Sequence, residues 1–506
     1  MKYSFSNSSL NLKERIISSY SSFNYDDIFN DDFVIDYDQE ALIKGREVFL
    51  NLKGSKVLII GDFDCDGICA TTIIKDLLDY LGIASNYYIP SRFNEGYGLS
   101  LSHVQKAIDY NFDVLLTVDN GIVAKEALKK AKEANIKTII IDHHEYDELP
   151  DADYILHGRL LKREYEKACA SGLCYLISSM FKSDDKILAL SGIATNADMV
   201  EVFGYNRHLI KMAKKILNKG NIKAINAISG KKANYTYDDL SFLVASKINS
   251  ISRIDKGSNV NILPKYLLEE DDIKLLDGAD KIKKINNLRK DLSDVMSKKA
   301  LTLVDDSGFC VIYDEHFLEG LCGLVANKVA KNIHKPCLIL APGKDLIKGS
   351  ARSIDDFDIL HHLKNFETYF ETLGGHKQAA GVAMKKEALA SFIKDIKATP
   401  CIYEEKMVNC IPLFDDELND DTLNLLINMQ PFGTGFEEPL FYLDNVNVKS
   451  RYLIKQMYTK FQFDNGLGAI SFKRDDYDLS FSRVVGYLKE DSYRKNHLSM
   501  QIQALF

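Results

Sequence analysis

Three apolar runs in this chain, KVLII, DVLLT and KTIII, each lead directly into a short segment of acids or histidines: GDFDCDG (Gly61 to Gly67), VDNG (Val118 to Gly121) and DHH (Asp142 to His144). Runs so short and so rich in β-branched side chains predict parallel strands covered on both faces. Between them lie stretches of helical period. GICATTIIKDLLDYLG has apolar Ile73, Leu77, Leu78 and Leu81 before a stopping Gly82, and AKEALKKAKEAN follows the second run. Strand and helix in alternation imply parallel pairing with right-handed crossovers. Ligand sites of such sheets lie beyond the carboxyl ends of the strands, where all three motifs fall.

With 506 residues the chain exceeds one ordinary core, so about two to four domains are expected. Its 46% hydrophobic and 27% charged residues are the proportions of a soluble globular protein. There is no apolar stretch of membrane-spanning length and no secretory pattern in MKYSFSNSSLNLKERI, so a cytoplasmic location is expected. The nine cysteines lack paired spacing, and Cys69, Cys174 and Cys337 sit inside apolar runs, which reads as reduced, buried thiols. A net charge of −8 argues against a globally basic nucleic-acid coat. It leaves room for a nucleic-acid enzyme, because a metal cluster needs carboxylates and a local basic groove can sit on an acidic protein. The aspartates crowding residues 26 to 38 suggest no chemistry.

Residues 1–50 read as a mixed N-terminal arm ending in the helical QEALIKGREVFLNLKG, and residues 51–215 as the α/β unit. Residues 216–300 form a helical connector. It closes in one amphipathic helix whose apolar Ile282, Ile285, Leu288, Leu292 and Val295 recur at three and four, long enough to bridge two domains. A smaller α/β unit follows over 301–400, with strands in GFCVIYD and KPCLILAPG and a Gly-rich LGGHKQAAGVAM. Residues 401–506 alternate as strands, and the five runs there suit a small β-barrel.

Asp62, Asp64 and Asp66 alternate, so an extended backbone sends them to one side, whereas a looped turn lets them surround an ion. Asp119 and His143 stand at the next two strand ends, and Asp198 is placed to complete the set. Several aspartates with one or two histidines suit Mn²⁺ or Mg²⁺. Taken singly, each signal has a plainer reading: an exposed DxDxD turn, an Asp-Asn-Gly turn, a capped helix start. Together, on three successive strand ends, they point to a metal cluster. A pair of ions activates a water and neutralises the charge that grows on a phosphoryl group under attack. Hydrolysis of a phosphoester or phosphoanhydride is therefore expected. No GxxxxGK[ST] segment supports nucleotide-driven motor chemistry.

At these residues the chain resembles the DHH phosphoesterase superfamily, and from about residue 50 onward it is similar to the RecJ-like single-strand-specific exonucleases within it. Further segments carry that resemblance in order: IPSRFNEGYGLS, IATNADMV, INSISRID, GLCGLVANKVA, GSARSI, GGHKQAAG and QPFGTGFEEPLF. It implies a parallel-sheet DHH catalytic domain, a long connecting helix, a smaller α/β DHH-associated domain and a C-terminal OB-fold β-barrel. It implies that Asp62, Asp64, Asp66, Asp119, His143 and Asp198 hold two Mn²⁺ or Mg²⁺ ions, their division between the ions left open. His144 would face the scissile phosphate, and His376 would reach over the substrate from the second domain. Arg92, Arg253, Ser350 and Arg352 would hold phosphates near the 5′ end. Arginine's planar fork suits that task, and Gly374 and Gly375 would let the backbone beside His376 come close to a ligand.

The activity so implied is 5′ to 3′ degradation of single-stranded DNA to mononucleotides in repair and recombination. A channel between the two α/β units, too narrow for duplex, would enforce strand selectivity. The barrel would track the strand with Lys449, Arg451, Lys455 and Lys460 among Tyr452, Tyr458 and Phe461. Expected partners are single-stranded DNA, a single-strand-binding protein and a helicase, with no membrane and a monomeric chain. A nanoRNase or cyclic-dinucleotide phosphodiesterase of the same superfamily is the alternative enzyme, and an inactive replication or repair scaffold the alternative of another class. The chain departs from the family pattern at Phe63, Cys65, Asn196, Ser250 and Ser252, and ILHGRLLKREY lacks the usual Asn-Pro start.

Overall fold

The computed structural model describes all residues except 1, 6–9, 21–22, 24, 30–32, 94, 255–258, 455–457, 473–480 and 492–496. Two compact units result: Val34–Val200 with Gly204–Glu404, and Met1–Phe33 with Glu201–Phe203 and Glu405–Phe506.

In the larger unit the three apolar runs become the buried strands Lys56–Ile60, Val114–Val118 and Lys137–Ile141. They stand side by side in the middle of a five-stranded parallel sheet. Its edges are Ala84–Tyr88 and Tyr154–Leu156, which the apolar pattern does not reveal. An edge strand has one neighbour and one open side, so ASNYY needs no continuous apolar run and YIL is only three residues long. The helix Cys65–Tyr80 is buried nearly all round, against both the sheet and the helices Ala170–Ser179 and Asp185–Ala197. It begins before the predicted GICATT stretch, so Asp66 lies in its first turn and the DxDxD motif is a loop that winds into a helix, not an extended strand.

The bridging helix is real and spans Asp272–Thr302, 31 residues. Its buried stripe follows the predicted one in part, with Ile282 buried and Ile285 and Leu292 packed against a core. Leu288 and Val295 face solvent, while Asn286, Ser293, Met296, Ser297 and Ala300 are buried. Small and polar side chains sit inside because this helix is crossed at close quarters by Ser246–Ile251 and Cys322–Ile333, where large residues would hold the backbones apart. The second sheet is mixed, in the order Thr372–His376, Ala379–Met384, Ile347–Arg352, Cys337–Pro342, Cys310–Tyr313. Alternate residues feed two cores, Cys310, Ile312, Cys337 and Ile339 on one face and Val311, Leu338 and Leu340 on the other. The Gly-rich segment forms its antiparallel hairpin.

The smaller unit is an eight-stranded sheet built from the C-terminal strands, with the N-terminal strand Lys2–Phe5 laid parallel on Met407–Pro412 at one edge. The run PLFYLDNVNVKSRYLI is two strands, Phe441–Asp444 and Val448–Ile454, broken where Asn445 turns left-handed at φ 57°. Among the residues proposed to track a strand, Lys449, Arg451 and Tyr452 are exposed, and Lys455 lies outside the described residues. Phe461 is a correction. It is fully buried and stacks on Phe463 with centroids 6.2 Å apart, because burial alternates along Tyr458–Phe463 and puts it on the inner face. All nine cysteines are free, and among the described residues no helix is long and apolar enough to cross a membrane.

Candidate metal centre

Each acid is set by the local backbone its sequence dictates. Asp64 caps the helix Cys65–Tyr80, its Oδ1 accepting from the amides of Asp66 at 2.9 Å and Gly67 at 3.1 Å. Asp66 then reaches across to the helix Ala170–Ser179, whose own cap residue Cys169 makes no side-chain cap bond. The Asp66 carboxylate accepts from Ala170 N at 2.8 Å and Ser171 N at 2.9 Å, capping that helix in trans. Asp119 ends its strand in the left-handed region at φ 61°, which directs its side chain back toward the other motifs. Asp142 serves as a frame. Its Oδ1 accepts from His143 N at 2.8 Å, His144 N at 3.2 Å and His144 Nδ1 at 2.8 Å, and its Oδ2 accepts from Ile122 N at 3.0 Å.

The result is convergence. His143 Nε2 lies 3.2 Å from Asp119 Oδ1, 3.6 Å from Asp198 Oδ2 and 3.9 Å from Asp66 Oδ2. Asp62, Asp64 and Asp119 bring ligand atoms within 4.8 Å of one another, as do Asp119, His143 and His144. Asp119 and His143 each belong to more than one group.

The electrostatics are those of crowded, desolvated acids. Burial, then the Asp64 charge, pushes Asp62 up to about 8. Burial and like charges push Asp119 and Asp198 well above the usual carboxylate range. Burial pushes His143 down toward the neutral form. Burial also works against Asp142, but the His144 hydrogen bond and charge outweigh it and hold the carboxyl at about 2, while Asp142 in return raises His144.

These residues fit a divalent cation. Asp62 Oδ1, Asp119 Oδ1 and Asp198 Oδ2 are buried without a hydrogen-bond partner. A neutral imidazole nitrogen ringed by carboxylate oxygens has lone pairs facing lone pairs, which a shared cation relieves. In an octahedron with bonds of about 2.1 Å, adjacent ligands lie about 3 Å apart, close to the spacings around His143. The mix of hard oxygens with one imidazole suits Mn²⁺ or Mg²⁺.

Beside the acids is a pocket of partly buried cations. The Arg92 guanidinium lies 4.1 Å from the centroid of the Phe63 ring, between Asp62 and Asp64 in sequence. Arg352 NH1 donates to Ser350 Oγ and Ala351 O, both at 2.8 Å. Arg253 is held against the mixed-sheet domain, NH1 donating to Gly320 O at 3.4 Å. A Cβ on Gly320 would sit 2.3 Å from the Arg253 carbonyl oxygen, so only glycine allows this approach. A Cβ on Gly323 would lie 3.0 Å from the Arg352 guanidinium and 3.2 Å from Ser350 Oγ. The N-terminal end of Cys322–Ile333 thus packs against the Arg352 and Ser350 side of the pocket. Burial first, then Arg92, Arg352 and Arg289, lowers Arg253 to about 9. Among the described residues none of Arg92, Arg253 and Arg352 forms an ion pair. Mutually repelling cations so placed call for an anion.

Three family models match in succession: the DHH family N-terminal domain over residues 56–196, the DHHA1 domain over 306–399 and the RecJ OB domain over 411–504. This chain is RecJ-like in its domains and their order. The single-stranded-DNA-specific exonuclease RecJ of Thermus thermophilus is 26% identical over 470 residues, covering 90% of this chain and 68% of that protein. That of Bacillus subtilis is 29% identical over 347 residues, covering 66% of this chain, which spans only 44% of that protein's length. In fold the chain resembles the T. thermophilus RecJ crystal structure in complex with Mn²⁺, with a TM-score of 0.84, 23% identity, and coverage of 95% of this chain and 73% of that one.

Three of the RecJ-like chain's departures have defined contacts. Phe63 carries Arg92. The Cys65 amide donates to Asn249 Oδ1 at 2.7 Å, and Asn196 Nδ2 donates to Tyr237 O at 3.1 Å and Ser241 Oγ at 2.9 Å. His376 stands apart from the acids, exposed on its hairpin. Its Nδ1 accepts from Gln378 N at 3.3 Å, and burial, then Arg352, lowers its pKa. Sequence reasoning passed over Tyr97, whose hydroxyl donates to Asp119 O at 2.9 Å and lies 3.0 Å from His144 Nδ1. It belongs to the same IPSRFNEGYGLS segment as Arg92, so the segment was visible although this residue's role was not.

Proposed function

We propose that this RecJ-like chain is a divalent-metal-dependent exonuclease that removes mononucleotides from the 5′ end of single-stranded DNA in repair and recombination. The observation that carries the reading is a pocket of partly buried arginines without ion-pair partners among the described residues, adjoining the acid cluster within one unit. Arg92, Arg253, Arg352 and Ser350, beside the N-terminal end of Cys322–Ile333, bind the terminal phosphate and fix the strand's direction. The next phosphodiester then falls over Asp62, Asp64, Asp66, Asp119, His143 and Asp198.

Those six residues hold Mn²⁺ or Mg²⁺, two ions in this reading, which supply water activation and charge neutralisation when bound. His144, its Nδ1 proton held by Asp142 and its ring steadied by Tyr97, presents positive charge to the phosphoryl oxygens. His376 closes over the substrate from the hairpin. The strand passes between the parallel-sheet and mixed-sheet domains, and the exposed Lys449, Arg451 and Tyr452 of the OB domain bind its continuation. A helicase and a single-strand-binding protein are the partners that would supply such a strand to a monomeric enzyme.

The test is a time course on 5′-labelled and 3′-labelled single strands, with duplex, RNA and dinucleotide controls, in Mn²⁺, Mg²⁺ and EDTA. Immediate release of 5′-labelled mononucleotide, abolished by EDTA, is expected. Release of the 3′ label first, or preference for the dinucleotide, would overturn the reading.

A further inference from the structure

Two large apolar side chains stand in solvent on segments connected to the metal centre: Met199, next to Asp198, is 74% exposed, and Phe242, next to the Ser241 that Asn196 holds, is 69% exposed. Met199 directly follows Asp198 and takes a left-handed backbone at φ 57°, a conformation that a residue of this type keeps only where its surroundings impose it. Phe242 lies in a π-helical turn, Leu240–Ala245, a rare form that is frequent at functional sites. That turn is fastened to the end of the helix Asp185–Ala197 by the Asn196 bond to Ser241, the residue next to Phe242. The turn that carries Phe242 is therefore tied through two bonded side chains to the segment that carries Asp198. Neither ring nor thioether has a hydrogen-bonding group that would distinguish one base from another.

We propose that Phe242, with Met199, is a stacking platform for a nucleobase of the strand held at the metal centre. The inference rests on the single-strand reading above and adds to it the group that receives a base without regard to sequence. An exonuclease that must accept every nucleotide in turn needs such a contact, because every base has a π-face.

The full chain and its F242A, F242W and M199A variants are compared on 5′-phosphorylated strands carrying one abasic site at successive positions. F242A should raise KM by roughly tenfold with kcat little changed, and F242W should restore it. At one position, losing the base should cost the wild type about as much as F242A and cost F242A nothing more. In EDTA, 2-aminopurine at that position should be quenched by the wild type and not by F242A. Additive losses at every position, or an unchanged KM with an altered oligomeric state, overturn the platform while leaving the exonuclease intact. A wild type that does not degrade single strands overturns both.

Discussion

Replacing Asp119 by asparagine should make the metal-free protein more stable while destroying its function. Asparagine has the same shape and tolerates the left-handed backbone held here at φ 61°. It replaces a carboxyl whose charged form burial and the neighbouring acids disfavour, and whose Oδ1 has no hydrogen-bond partner and lies 3.2 Å from the His143 nitrogen. Relief of an unsatisfied buried group is worth about 1–3 kcal/mol. At roughly 2 °C per kcal/mol for a unit of this size, metal-free D119N should melt about 2–6 °C above wild type at pH 8. The sign follows from the acids. Their folded pKa values are raised, Asp62 to about 8, so the metal-free wild type loses stability as pH climbs from the unfolded carboxylate value, about 4, through that range. The gap should be widest at pH 8 and should close toward pH 4. Mn²⁺ should reverse the order: at a hundredfold excess over its Kd it stabilises the wild type by about 2.7 kcal/mol, and D119N far less. Scanning calorimetry in EDTA and in Mn²⁺ at several pH values decides this. D119N melting below wild type at pH 8, or gaining as much from Mn²⁺, would refute the cluster as described.

Asp142 should behave in the opposite way. D142N breaks into four accepted hydrogen bonds and should cost about 3–5 kcal/mol by denaturant titration, because Asp142 is a satisfied buried acid. With its pKa held at about 2, that contribution is full above the ordinary carboxylate range and is lost as pH falls toward 2. H143A should abolish cleavage at saturating Mn²⁺ while leaving the circular dichroism spectrum unchanged. G320A places a Cβ 2.3 Å from the Arg253 carbonyl oxygen and should raise KM about tenfold for a 5′-phosphorylated strand and much less for a 5′-hydroxyl strand in parallel assays. Glu95 anchors the Arg92 loop through Ser91 N at 3.0 Å and Lys106 Nζ at 3.1 Å, so E95Q should weaken the same 5′-phosphate preference in that assay.

The parallel sheet was legible because strands buried on both faces must be continuously apolar, and the acids at their ends stood out against that background. KVLII, DVLLT and KTIII are therefore visible as letters, whereas the edge strand ASNYY is not. The bridging helix was legible as a helix and, at Ile282, Ile285 and Leu292, in part of its buried face; Asn286 and Ser293 were not, since polar side chains go inside only where other helices pack over them.

What the sequence determined by itself is the chemistry available: six ligand-type residues at strand ends and helix ends, and a β-rich tail. Tertiary structure decided how each is used. Asp66 caps a helix that begins more than a hundred residues away, Asp142 turns inward as a frame while its neighbours turn outward, and Arg253 meets Gly320 across two domains. Local spacing fixes what a side chain can do, but its pKa, its partners and its direction depend on groups distant in the chain. Only packing brings those groups within a few ångströms, where desolvation makes charge decisive.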